Sequence, residues 1–70
     1  MELRELKYFL AVAQAGSISG AAEALYITQP SLSRQMQNLE REVGGALFER
    51  GKRRITLTER GKLLKKRAEE

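Results

Sequence analysis

The chain has 70 residues and a net charge of +4, with no cysteine and no histidine. That length holds one small domain, which buries only about 60–65% of the surface its unfolded chain exposes, so a deep enclosed pocket beside the core is not expected. Without cysteine or histidine there is no disulfide, and the commonest zinc ligands, thiol nucleophiles and the usual proton shuttle at neutral pH are missing.

The chain opens Met1-Glu2-Leu3-Arg4-Glu5, alternating charges unlike a secretory signal. Nowhere does it approach the roughly 20 apolar residues of a membrane span. A soluble cytoplasmic protein with no membrane partner is therefore expected. Leu6, Phe9, Leu10 and Ala13 fall at i, i+3, i+4 and i+7, one face of an amphipathic helix over about residues 3–15, with Gly16 as its C-terminal cap.

Ser17 or Ser19 can cap a second helix, in which Ile18, Ala21, Ala22 and Leu25 repeat the same spacing. At about eight residues this helix cannot persist alone in water and must pack on neighbours. Ala21 and Ala22 allow another helix to approach closely, since neither side chain extends past a methyl group. Tyr26-Ile27-Thr28 breaks the pattern. Thr28 suits an N-cap and Pro30 a first helical turn, where a missing N–H costs little. Leu32, Met36, Leu39 and Val43 form the apolar stripe of a third helix, about residues 29–43, stopped by Gly44-Gly45.

Leu47–Arg50 and Arg54–Leu57 are short runs around Gly51-Lys52-Arg53 and read as a β-hairpin. Thr58 can cap a last helix with Leu57, Leu64 and Ala68 on one face. It ends at Glu69-Glu70 with no glycine or proline stop, and two acids there oppose the helix dipole. The natural helix is therefore expected to run on past this point. Charge is uneven: residues 1–49 carry a net −2 and residues 50–70 a net +6, as a polyanion-facing region would. For the Lys65-Lys66-Arg67 run a solvated helix is the better reading, because charge runs usually face solvent.

A short helix, a tight turn and a longer helix make the helix-turn-helix plan, whose second helix enters the DNA major groove. The outer face and start of helix three offer Gln29, Ser31, Ser33, Arg34, Gln37 and Asn38, with no carboxylate among them. Arginine can hydrogen-bond guanine O6 and N7, glutamine or asparagine adenine N6 and N7, and serine a base or a phosphate. The plainer reading is a polar surface helix needing no partner. Glu40, Arg41 and Glu42 lie farther along and read as structural or surface residues. The hairpin tip adds Arg50, Lys52, Arg53 and Arg54, placed to reach flanking phosphates or a narrow minor groove, or else a solvated basic turn. Phe9 and Phe48 read as core, and Tyr26 reads as packed rather than as a phosphate contact.

These residues resemble a known family. Phe9-Leu10-Ala11-Val12-Ala13, Gly16-Ser17, Ala21-Ala22, Leu25, Gln29-Pro30-Ser31-Leu32-Ser33, Leu39-Glu40, Gly44, Leu47-Phe48, Arg50 and Leu57-Thr58 followed by Gly61 are similar to the N-terminal domain of LysR-type transcriptional regulators. The resemblance spans nearly the whole chain. It implies a mainly α winged helix-turn-helix: a three-helix core, a short hairpin as wing and a C-terminal linker helix. The domain division is then 1–57 for DNA binding and 58–70 for the start of the linker helix. The resemblance implies sequence-specific binding to interrupted palindromes near promoters, a homodimer through the linker helix with higher oligomers, and a bacterial cytoplasmic protein on the nucleoid when bound. It also implies no cofactor in this domain, and a small-molecule co-inducer on a C-terminal domain absent here. By position, Thr28 is the helix cap, Gln29, Pro30, Ser33 and Arg34 are recognition-helix residues, and Arg50 and Arg53 are wing residues. Tyr26 stands where a smaller polar or basic residue is commoner, Gly20 occupies a helical position, and the wing tip is unusually basic. Another winged-helix regulator family is the alternative. A protein-interaction module fits less well, because of the polar face and basic tip. An enzyme fits least, with no nucleophile–base pair and no phosphate-cradling glycine loop.

Overall fold

Capping sets the boundaries of most of the helices. In the computed structural model, which describes residues 2–51 and 54–70, the order is α1 (Leu3–Ala15), α2 (Ile18–Leu25), α3 (Gln29–Val43), β1 (Phe48–Arg50), β2 (Ile55–Leu57) and α4 (Glu59–Glu69). The Glu5 carboxylate accepts a hydrogen bond from the Glu2 N–H at 3.0 Å, closing the start of α1. Of the two serines offered as caps for α2, Ser17 serves, its hydroxyl accepting from the Gly20 N–H at 3.0 Å. Thr28 and Thr58 do the same for α3 and α4, accepting from Ser31 at 3.2 Å and Gly61 at 3.0 Å. Each of these bonds satisfies one of the N–H groups a helix start leaves without an intrahelical acceptor.

The core is shared by all three N-terminal helices. Phe9 and Val12 come from α1, Ala21 and Ala22 from α2, Leu32, Met36 and Leu39 from α3, and Leu47 from the connection to β1. Among the described residues no polar or charged residue is buried. The buried face of α1 differs from the expected stripe. Leu6, Leu10 and Ala13 are only half-buried, while Val12 is fully enclosed. The helix is turned toward Phe9 and Val12 because it must meet the hairpin as well as α2. Phe9 contacts Phe48 of β1, ring centroids 5.4 Å apart.

The two strands pair antiparallel, Phe48 with Leu57, Glu49 with Thr56 and Arg50 with Ile55. A hairpin this short is marginal by itself, and three external ties hold it. The Ile55 N–H donates to the Gly16 carbonyl at 2.8 Å, joining β2 to the end of α1. The Glu40 carboxylate accepts from the N–H groups of Leu47 and Phe48, at 2.7 and 3.4 Å. Thr58 donates its hydroxyl proton to the Ala46 carbonyl at 2.8 Å and its N–H to the Leu47 carbonyl at 3.0 Å. Leu57, expected both to end the second hairpin run and to sit on the face of the last helix, ends β2, and Thr58 caps α4 directly after the strand. The start of α4 passes so close to Leu47 that Gly61 is buried, and a Cβ there would overlap the Leu47 carbonyl oxygen. Helices in a three-membered core with a hairpin against their open end make a winged helix-turn-helix, as expected from the sequence.

Candidate nucleic-acid interface

Helix α3 presents two unlike sides. Leu32, Met36 and Leu39 are buried, and at 3.6 residues per turn Arg34 lies opposite them. Arg34 is exposed, in line with exposed Pro30 and Asn38 four residues to either side. Ser33 and Gln37 form the neighbouring row, on the side of the hairpin. Together with Arg50 they line one hollow between α3 and β1. Polar groups of the helix and a cation of the wing therefore share one surface.

The start of α3 is more constrained than composition suggests. Thr28, Gln29 and Pro30 are exposed and Ser31 is half-buried. Helix N-termini favour anions through their unpaired N–H groups, but Pro30 has none and that of Ser31 is taken by Thr28. Gln29 keeps the first-turn N–H with no intrahelical acceptor. The Thr28 hydroxyl, accepting as a cap, still has its own proton to donate. Farther along, Asn38 accepts from the Arg41 guanidinium at 2.6 Å. Its amide oxygen thus has an intrahelical partner, which competes with the two-point reading of adenine that needs both amide atoms.

Strand alternation sorts the wing. Phe48 and Arg50 share a face, directed to α3 and the end of α1, and Glu49 takes the other. Arg50 also lines a second hollow with Gly16 and Ser17. Arg54 is exposed, yet its guanidinium lies over Gly16, where an added Cβ would sit 3.0 Å from Nη2. The carbonyl end of α1 favours a cation there, so Arg54 braces the wing on α1 besides adding charge. Lys52 and Arg53 lie outside the described residues.

Two residues depart from their sequence reading or refine it. Tyr26, expected to pack, is 95% exposed in the turn between α2 and α3. Glu40, expected to be structural or on the surface, is the tether between α3 and the wing. A carboxylate on the helix that carries the DNA-reading candidates was the available signal. It is tolerable there because backbone N–H groups, rather than solvent, receive it. Among the described residues no three potential ligands gather for a metal, and no helix is long and apolar enough to cross a membrane.

Residues 3–62 match the model of the bacterial regulatory helix-turn-helix protein, lysR family. The chain belongs to the lysR family. Its relatives include the HTH-type transcriptional regulator TfdT of Cupriavidus pinatubonensis, 54% identical over 63 residues, an alignment covering 90% of this chain and 28% of TfdT. BsdA of Bacillus subtilis, also a transcriptional regulator, is 46% identical over 71 residues, covering 100% of this chain and 24% of BsdA. The chain thus corresponds to about a quarter of the length of these relatives. Among solved structures, the BenM DNA-binding domain on catB site 1 DNA is 50% identical with a TM-score of 0.92, covering 97% of this chain and 76% of that one. Full-length CbnR with its target DNA has a TM-score of 0.92 at 48% identity, covering 99% of this chain and 24% of CbnR. The LysR-family domain here is therefore a winged helix-turn-helix, as in those relatives, and its family is one of regulators rather than enzymes.

Proposed function

We propose that this LysR-family domain binds double-stranded DNA sequence-specifically, with α3 in the major groove and the wing on flanking backbone or minor groove. One observation carries the reading: Ser33 and Gln37 of α3 and Arg50 of the wing line one hollow, beside exposed Arg34, on a fold that half-identical relatives present to DNA. Gln29, Ser33, Arg34 and Gln37 read base edges. Thr28, Pro30, Ser31 and Asn38 sit at the groove wall. Arg50, Lys52, Arg53 and Arg54 supply the sequence-independent attraction that positions the domain.

The wider reading follows the relatives. Residues 1–57 are the DNA-binding unit and 58–70 begin a linker helix that pairs two subunits. Two copies then meet the two halves of an interrupted palindrome near a promoter, with higher oligomers in the whole regulator. A small-molecule co-inducer belongs to a C-terminal domain, and the protein works in the bacterial cytoplasm.

Fluorescence anisotropy with a promoter-derived interrupted palindrome and a scrambled duplex, each across a salt series, tests this. Tighter binding to the palindrome, with affinity for both duplexes falling steeply as salt rises, is the expected result. Equal affinity for the two overturns base reading. No binding to either at low salt returns the domain to a protein-interaction role.

A further inference from the structure

Three of the four helices reach a left-handed cap residue at their C-terminal end, and the three caps differ in one respect. Gly16 closes α1 at φ 72°, Gly44 closes α3 at φ 85°, and Tyr26 closes α2 at φ 60°. At Tyr26 the motif is complete. The Tyr26 N–H donates to the Glu23 carbonyl at 3.2 Å and the Ile27 N–H to the Ala22 carbonyl at 3.0 Å, while Ile27 packs against the core. This is the helix ending that glycine favours, because a Cβ in the left-handed region meets the following carbonyl. Among the described residues Tyr26 is the one non-glycine residue at positive φ. Its side chain gains nothing from packing in return, since the residue is 95% exposed.

A residue that is unfavourable for the backbone and unburied owes its place to its side chain. The cap stands two residues before Thr28, at the entry to α3, where Thr28, Gln29 and Pro30 are exposed. An aromatic body with a hydroxyl tip at the rim of a groove-reading helix is suited to the sugar–phosphate wall of that groove, the ring lying along the sugars and the hydroxyl donating to a phosphate oxygen. We infer that Tyr26 is a further DNA-binding residue, an anchor on the phosphodiester backbone beside the start of α3. The inference rests on the DNA-binding reading above. The contact carries no sequence information and no charge, so it strengthens binding to every duplex and leaves the salt dependence unchanged.

The test compares wild type, Tyr26→Gly and Tyr26→Phe by anisotropy on a random-sequence duplex across a salt series, with thermal melts of each protein. A phosphate contact does not depend on sequence, so no operator is needed. Tyr26→Gly is expected to melt at or above the wild-type temperature, because glycine adopts the cap without strain. It is expected to bind about three- to tenfold more weakly, as for one lost hydrogen bond and its contact area, at an unaltered salt slope. Tyr26→Phe, losing only the hydroxyl, should recover part of that deficit. Wild-type affinity in Tyr26→Gly overturns the role of Tyr26 while leaving the DNA reading intact. A wild-type protein that binds no duplex at low salt overturns both.

Discussion

The two parts of the proposed DNA surface are held in place in different ways. Helix α3 is fixed by three buried side chains, an N-cap and a glycine C-cap, so its polar face moves only if the core does. The wing has two strands of three residues and little core of its own. It is held by hydrogen bonds to flanking elements, several of them through side chains: the Ile55 N–H to the Gly16 carbonyl, the Leu47 and Phe48 N–H groups to the Glu40 carboxylate, and the Thr58 hydroxyl and N–H to the Ala46 and Leu47 carbonyls. A rigid helix suits base reading, where misplacement by an ångström loses a two-point hydrogen bond. Phosphate attraction tolerates a looser support, because it acts over several ångströms. The difference teaches that a few polar tethers are enough to dock a basic hairpin beside a helix whose geometry the apolar core has already decided.

Substitutions can break that division at its joints. The largest effect is expected for Gly61→Ala, since the new methyl group would overlap the Leu47 carbonyl oxygen where α4 crosses the root of the wing. Overpacking against backbone should cost about 2–3 kcal/mol and lower the melting temperature by roughly 10 °C or more, as thermal denaturation would register. A melting temperature unchanged by the alanine would mean that the α4–wing junction yields. Next comes Glu40→Ala, which removes the acceptor from the Leu47 N–H. A loss of about 1–3 kcal/mol is expected in denaturant unfolding, with Glu40→Gln retaining part because its amide oxygen still accepts. Equal losses for the two variants would show that the carboxylate charge, and not the hydrogen bond, holds the wing.

Substitutions at the residues proposed to face DNA should leave stability almost untouched. Arg34→Ala is expected to lower affinity for the palindrome by about 1–3 kcal/mol and to relax preference at one base position, with little loss on scrambled DNA. Equal losses on both duplexes would reassign Arg34 to the backbone. The smallest effect is expected for Arg50→Ala. Its loss should weaken palindrome and scrambled duplex alike and reduce the salt slope by about 1, read from anisotropy at several salt concentrations. An undiminished slope would remove Arg50 from the phosphate contacts and place it with Arg54 as a brace of the wing.

What the sequence determined by itself is whatever depends on residues a few places apart. The bounds of α1, α2 and α3, the caps at Thr28 and Thr58, the left-handed glycines at 16 and 44, and the polar side of α3 are legible because capping and periodicity act over three or four residues. The Gln29-Pro30-Ser31-Leu32-Ser33 segment and the Leu47-Phe48 and Leu57-Thr58 pairs carried the family likeness through their fixed distances along the chain, which the sequence states directly. The tertiary structure alone decided which side of α1 is enclosed, that Glu40 reaches forward to Leu47, and that Arg54 rests on the end of α1. Each depends on partners brought together by packing of the core, which no window of the chain contains. Tyr26 lies between the two cases. Its position after α2 was readable as a break in the pattern, but only the folded turn, with its left-handed backbone and Ile27 packed against the core, put the ring into solvent beside the helix proposed to read DNA.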